Sequence, residues 1–290
     1  MIARTRRELL AGLTMLAPGC RRRPTSRLSV GSSTARREVF AELVARQLER
    51  RLGTRVATLP DLGGGLAAHE ALLAGRVDAS VECTGFALIS ILQRPFESRP
   101  EVVLERVRLE YGNRFRLRWM DPLGFEDGFV LVVRRETAER HALSSLSEAE
   151  RLSPGWQLAV PGEFLTRPDG MAALMKTYSL RLRSGPLTVP PAAACQALRE
   201  GKVTLVAARA ADGELLAADR IVREDDRRAF PPNQAALVVR EEALTRHTGM
   251  EAALAELTGR ISLEQARRLN AEAAARGPAA VAAAFLRERL

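Results

Sequence analysis

Lysine is nearly missing from this chain: Lys176 and Lys202 are the only two among 44 basic residues, and the rest are arginine. A formal charge of +9 carried by one residue type follows coding composition rather than a binding patch, and seven of the arginines fall between positions 4 and 27. No basic stripe with interleaved aromatics is present, so nucleic acid is not an expected partner. Histidine occurs three times, as His69, His141 and His247, in helical or loop patterns without a partner at catalytic spacing. Cysteine is as scarce (Cys20, Cys83 and Cys195), and no Cys/His spacing suits zinc. No P-loop, nucleophile elbow or paired-carboxylate signature is found, so neither an enzyme nor a cofactor or metal is expected. There is no internal repeat, coiled coil or long linker, and the longest apolar run near the start is too short to cross a bilayer. What remains is a chain of 290 residues, 46% hydrophobic and 27% charged, ordinary for a soluble globular protein and long enough for two lobes with separate cores.

The first 26 residues read as an export and anchor segment rather than as part of the fold. Thr5-Arg6-Arg7-Glu8-Leu9-Leu10 resembles a twin-arginine export motif, and general export is the alternative. Leu16-Ala17-Pro18-Gly19-Cys20 resembles a bacterial lipoprotein cleavage box, although a Pro before the Gly is unusual there. Cys20 is then the expected lipidation site, and the expected location is the periplasm or the outer face of the cytoplasmic membrane, held by a lipid anchor.

From residue 27 the pattern alternates. Strands are expected at 28–31, 56–59 and 77–81, and helices at 35–52, 66–74, 86–93 and 102–115. Gly53 and Gly75 stop the first two helices. This order argues for a mostly parallel sheet with helices on both faces, whose ligands gather at the carboxyl ends of the strands. Those ends are Ser32-Ser33 and Glu82-Cys83-Thr84. A turn is expected at Asp121-Pro122-Leu123-Gly124, then strands at 129–133, 156–160, 203–207 and 236–239, with a helix at 192–199. The tail, 252–290, reads as helical and is broken at Gly277-Pro278. Cys83 and Cys195 fall in different halves of this arrangement and are expected as free thiols.

The most informative stretch is Glu163-Phe164-Leu165-Thr166-Arg167-Pro168-Asp169-Gly170, on a strand-to-helix loop. There a fixed guanidinium and backbone N–H groups can hold an anion, or Arg167 and Asp169 can form a local ion pair. Other pieces accompany it in order: Val30-Gly31-Ser32, Leu62-Gly63-Gly64, Gly75-Arg76-Val77-Asp78, Glu82 with Thr84-Gly85, and Asp121-Pro122 with Gly124-Phe125. Asp212-Gly213, Glu224-Asp225-Asp226 with Phe230-Pro231-Pro232, Val238-Val239-Arg240 and Leu269-Asn270 follow. The ordered series resembles the substrate-binding proteins of osmoprotectant (glycine betaine, choline, proline betaine) ABC importers, over roughly residues 28–290. The resemblance implies an α/β, type II periplasmic-binding-protein fold, two α/β lobes joined by a two-strand hinge. Lobe one would comprise 27–126 plus 233–290 and lobe two 127–232. The implied partners are a small-molecule ligand bound between the lobes, an ABC permease with its ATPase, and a membrane reached through the lipid anchor. Alternatives are an orphan binding protein serving a sensor or scaffold, and a cleft enzyme in which Glu163 and Arg167 act as acid and clamp.

The chain departs from this family where the ligand is held. Quaternary ammonium groups sit against aromatic faces, which the relatives supply largely as Tyr. Here the only tyrosines are Tyr111 and Tyr178, at neither cage-like position. The expected rings are instead Cys83, Phe129, Arg209 and Asn233, Phe86 stands where a Thr is usual, and a cation is missing at Ser33. The resemblance thus implies a ligand site of Ser32, Ser33, Cys83, Thr84, Phe86, Phe129, Arg167, Arg209 and Asn233. Phe86 and Trp119 are the aromatics able to rebuild part of a cage. The pocket is expected to have moved from quaternary amines toward an anionic or zwitterionic solute, with Arg167 on its carboxylate and Arg209 as a second cation. Asp225-Asp226 reads as an ion pair with neighbouring arginines, and Asp78 as a strand-edge cap.

Overall fold

The computed structural model describes residues 27–289, so the arginine-rich leader and Cys20 lie outside the described residues. Ten strands form two separate sheets. They are β1 (Ser29–Gly31), β2 (Ala57–Leu59), β3 (Ala79–Cys83), β4 (Leu117–Glu126), β5 (Phe129–Arg134), β6 (Leu158–Val160), β7 (Leu187–Thr188), β8 (Leu205–Arg209), β9 (Arg220–Arg223) and β10 (Gln234–Arg240). The first sheet has the order β2-β1-β3-β10-β4, and the second β7-β6-β8-β5-β9. In each, three strands run parallel, and the fourth, β10 or β5, pairs antiparallel with both its neighbours. That antiparallel strand is the one whose chain has just crossed from the other sheet. Four of the five strands of the first sheet therefore run the same way, mostly parallel as its opening βαβαβ order implies, and β10 alone opposes them, arriving from the other direction between β3 and β4.

Both sheets are buried on both faces, which is why their strands read as apolar runs. Along β5, Leu131 and Val133 enter one core, with Leu158, Phe164 and Tyr178. Val132 enters the other, with Leu198 and Val206. In the first sheet, Val81 and Leu237 pack on Phe40, Leu43 and Leu48 of the helix Glu38–Leu52, while Val238 packs with Leu72, Val107 and Trp119 on the other side. That helix ends where expected: Gly53 takes a left-handed φ of 64° and donates its N–H to the Glu49 carbonyl.

Several local expectations change. Asp121-Pro122-Leu123-Gly124 is not a turn but lies inside β4, where register shifts against β10 accommodate Pro122 and a Gly124 φ of 118°. Ile261 O would stand 2.8 Å from a Cβ at Gly124, so only glycine fits that close approach. Instead of a regular helix at 86–93, a single turn, Thr84–Phe86, runs into the π-helix Ala87–Ile91. The tail breaks twice, giving helices Met250–Ala255, Leu263–Arg276 and Pro278–Arg289. The additional break is a helix start: Ser262 Oγ accepts from Gln265 N while Gln265 Oε1 accepts from Ser262 N. Cys83 and Cys195 are free and buried. Among the described residues, Asp225 and Asp226 form no ion pair with an arginine side chain. Asp225 accepts from the Tyr178 hydroxyl and the Ala229 and Phe230 N–H groups, and Asp226 accepts from Ser147.

Candidate functional site: an arginine-lined cleft

Loops at the carboxyl ends of the strands converge on one cavity of about 110 Å³ between the two sheets. The loop after β1 is stitched to the loop after β2, where Leu62 N donates to Ser32 O and Gly64 N to Ser33 O. This pins the short 3-10 turn Ala35–Arg37, which aims two guanidinium groups at the second sheet. Arg36 pairs with Asp212 at 2.5 Å. Arg37 reaches Asp127, in the link between β4 and β5, and lies 3.5 Å from Ser33 Oγ. A cation is thus restored beside Ser33 by Arg37, three-dimensionally adjacent though four residues later in the chain.

From the second sheet come Glu163 and Arg167, beyond β6, and Arg209 at the end of β8. Arg167 caps the helix Gly162–Thr166 and turns back on Asp169, donating Nε to Oδ1 at 2.8 Å and Nη2 to Oδ2 at 2.5 Å, both groups buried. Asp169 therefore takes the fork of the guanidinium, the geometry by which an arginine grips a carboxylate. The guanidinium carbon of Arg167 lies 4.8 Å from the Phe86 ring centroid and 4.9 Å from that of Phe129, and its Nη1 is 3.6 Å from Glu163 Oε2. Arg209 is paired directly across the sheet with Phe129 and sits 4.7 Å from the same centroid. Its Nε is 3.8 Å from Asp127 Oδ2, but its buried Nη1 has no acceptor among the described residues.

Asp127 is the electrostatic hub. Burial by itself pushes its pKa up, but Arg37, Arg209 and the Ala211 N–H outweigh that and hold it at about 2. Glu82, at the end of β3, shows the opposite balance. Burial raises it to about 7, against the downward pull of the Ser80 hydroxyl and Arg37.

Of the expected site residues, Ser33, Phe86, Arg167 and Arg209 line the cavity. The other five are set back from it, each held by the fold. Ser32 Oγ donates to Thr34 O, Thr84 Oγ1 accepts from Gln234 N, and Cys83 packs in the core beside the helix Glu38–Leu52. Phe129 is only 5% exposed, edge-on to Phe164 beneath the two guanidinium groups. Asn233 stitches the crossing segments, accepting from Phe86 N at 2.9 Å and donating to Asp127 O at 2.7 Å. Trp119 rebuilds no cage, since it is buried 5.4 Å from Tyr111 in the core of the first sheet. Arg36, Arg37, Asp127, Glu82 and Asp212 also line the cavity, although none was among the expected ligand residues and the last two were named only as motif positions. The available signal for the first two was their place directly behind the β1 loop.

Two five-stranded sheets of matching order, bridged by two crossings and facing each other over a polar cleft, define a periplasmic-type solute-binding protein. A solved structure of a glycine betaine/carnitine/choline ABC transporter is similar at a TM-score of 0.80 and 25% identity, over 90% of this chain and 98% of that one. The carnitine transport binding protein of Listeria monocytogenes is 26% identical over 88% of this chain and 84% of its own length. The glycine-betaine-binding protein of Pseudomonas aeruginosa is 28% identical over 96% and 92%. The chain belongs to the family described as the substrate binding domain of ABC-type glycine betaine transport systems, which it matches over residues 27–288. It is the extracytoplasmic binding component of an ABC transporter and not an enzyme.

Proposed function

We propose that this chain binds a small zwitterionic or anionic solute between two lobes, 27–126 plus 233–290 and 127–232, and delivers it to an ABC permease. Its similarity to carnitine- and glycine betaine-binding proteins supports a small solute of zwitterionic type. One observation carries the shift in ligand: Arg209 lines the cavity, and its buried Nη1 has no acceptor among the described residues. A buried unsatisfied donor costs about 1–3 kcal/mol, and a ligand carboxylate would supply its partner. A diacylglyceryl group on Cys20 would hold the protein at the membrane; globomycin-sensitive processing and loss of the anchor in Cys20→Ala would test that.

A thermal-shift screen of the purified protein against glycine betaine, choline, proline betaine, ergothioneine, amino acids and small carboxylates tests the ligand class. A solute at 100 times its Kd stabilises the fold by about 2.7 kcal/mol. The expected result is a rise with one or more carboxylate-bearing solutes that lack a quaternary amine. Shifts confined to choline and the betaines, or no shift at all, would overturn the reading.

A further inference from the structure

A quaternary ammonium has no N–H and no lone pair, so it binds chiefly through aromatic faces and a neighbouring carboxylate. This cleft contains both elements, Phe129 and Asp127, but they are already in use. Arg209 is placed on Phe129 by sheet register, since the two residues are directly opposed in the β5–β8 ladder. Arg209 lines the cavity and Phe129 does not, and the guanidinium carbon lies 4.7 Å from the ring centroid with Nε 3.8 Å from Asp127. The chain thus places a cation of its own on a ring and beside a carboxylate. The remaining ring on the wall, Phe86, is covered by Arg167 at 4.8 Å.

We propose that Arg209 is the specificity-determining residue of the cleft. Its guanidinium stands where the quaternary ammonium of a ligand would lie against Phe129, excludes such amines, and gives the cleft wall a cation that favours a carboxylate instead. This rests on the cleft being the solute site, and it narrows the ligand to carboxylates without a quaternary amine. Arg209 makes this selection by occupying space and charge. Its removal should therefore reverse the preference and not merely weaken binding.

The test is calorimetric titration of choline and glycine betaine into the wild-type protein, Arg209→Ala and Arg209→Met. Choline carries no carboxylate, so its gain reports on the cation site alone. The expected result is weak or absent choline binding by the wild type and an affinity about tenfold or more higher in Arg209→Ala, with a smaller gain in Arg209→Met, whose side chain still fills part of the space. Asp127 keeps Arg37 and the Ala211 N–H in both variants, so the carboxylate is not left unpaired. Choline bound by the wild type as tightly as by the variants would overturn the proposal, as would folded variants showing no gain. Variants that fail to fold would also overturn it, because Arg209 would then be a structural partner of Asp127 and not a stand-in for ligand. A gain of choline binding with no response to carboxylates in the wild type would retain Arg209 as the excluding group and reject the anionic-solute reading. A carboxylate response without the gain would do the reverse.

Discussion

Glu82 is the residue at which burial and charge are most finely balanced. It is only 6% exposed, its Oε1 accepts from Ser80 at 2.6 Å, and Arg37 and Tyr111 lie in its electrostatic reach. Burial raises its pKa from 4.5 to about 7, so the folded chain holds this proton more tightly than the unfolded one. The associated stability is complete below about pH 4.5 and is lost as the pH rises through about 7. A shift of this size corresponds to about 3 kcal/mol at most. Urea denaturation at pH 5 and pH 8 should therefore show the wild type losing stability on the alkaline side relative to Glu82→Gln. His69, whose pKa burial lowers, acts in the opposite sense, so the comparison is made against the variant at each pH. Equal pH dependence in the two proteins would remove Glu82 as the source. Asp127 contributes to the acid limb: held at about 2, it adds stability above its ordinary 3.8 that disappears as the pH falls through 2.

Among elements, the two crossing segments matter most, because each must leave one sheet and enter the other without abandoning backbone groups. Asp127 N donates to Asn233 O, and the Asn233 side chain closes the junction through Phe86 N and Asp127 O. Gly85 permits this approach, since a Cβ there would stand 2.5 Å from Pro232 O and 2.8 Å from Asn233 Oδ1. Asn233→Ala leaves one donor and one acceptor without their partners and should cost about 2–4 kcal/mol. Asn233→Asp retains the acceptor for Phe86 but sets a buried carboxylate oxygen against Asp127 O, and should lose at least as much. Urea midpoints at constant m-value check this order, and an Ala variant as stable as wild type would mean the junction is held elsewhere. The π-helix Ala87–Ile91 directly follows this junction, behind the single α-helical turn Thr84–Phe86.

In the whole molecule, side chains from the two sides of the cleft meet across it. Arg36 meets Asp212 at 2.5 Å, Arg37 meets Asp127, and Arg167 lies over Phe86. Arg36 is 39% exposed at its side chain, so the pair with Asp212 is discounted to about 1 kcal/mol. Arg36→Ala should thus raise the open-to-closed ratio about fivefold, seen as a larger radius of gyration in small-angle scattering. Added salt should shift the wild type the same way and the variant less. A variant with unchanged dimensions and unchanged salt response would show that this pair does not hold the cleft together.

The chain's own order of residues determined the alternation of strands and helices, the family and two arginines of the wall, Arg167 and Arg209, because these depend on periodicity and on short motifs. The helix Glu38–Leu52 and the loop carrying Arg167 are legible in that way. Tertiary structure alone decided that Asp169 takes the fork of Arg167, that Arg37 supplies the cation missing at Ser33, and that Arg209 lies on Phe129. The last depends on the register of two strands some eighty residues apart, β5 and β8, and the second on how far a 3-10 turn swings a long side chain. No local pattern encodes either distance. Both arise from packing two sheets, through helices and crossings, into one arrangement.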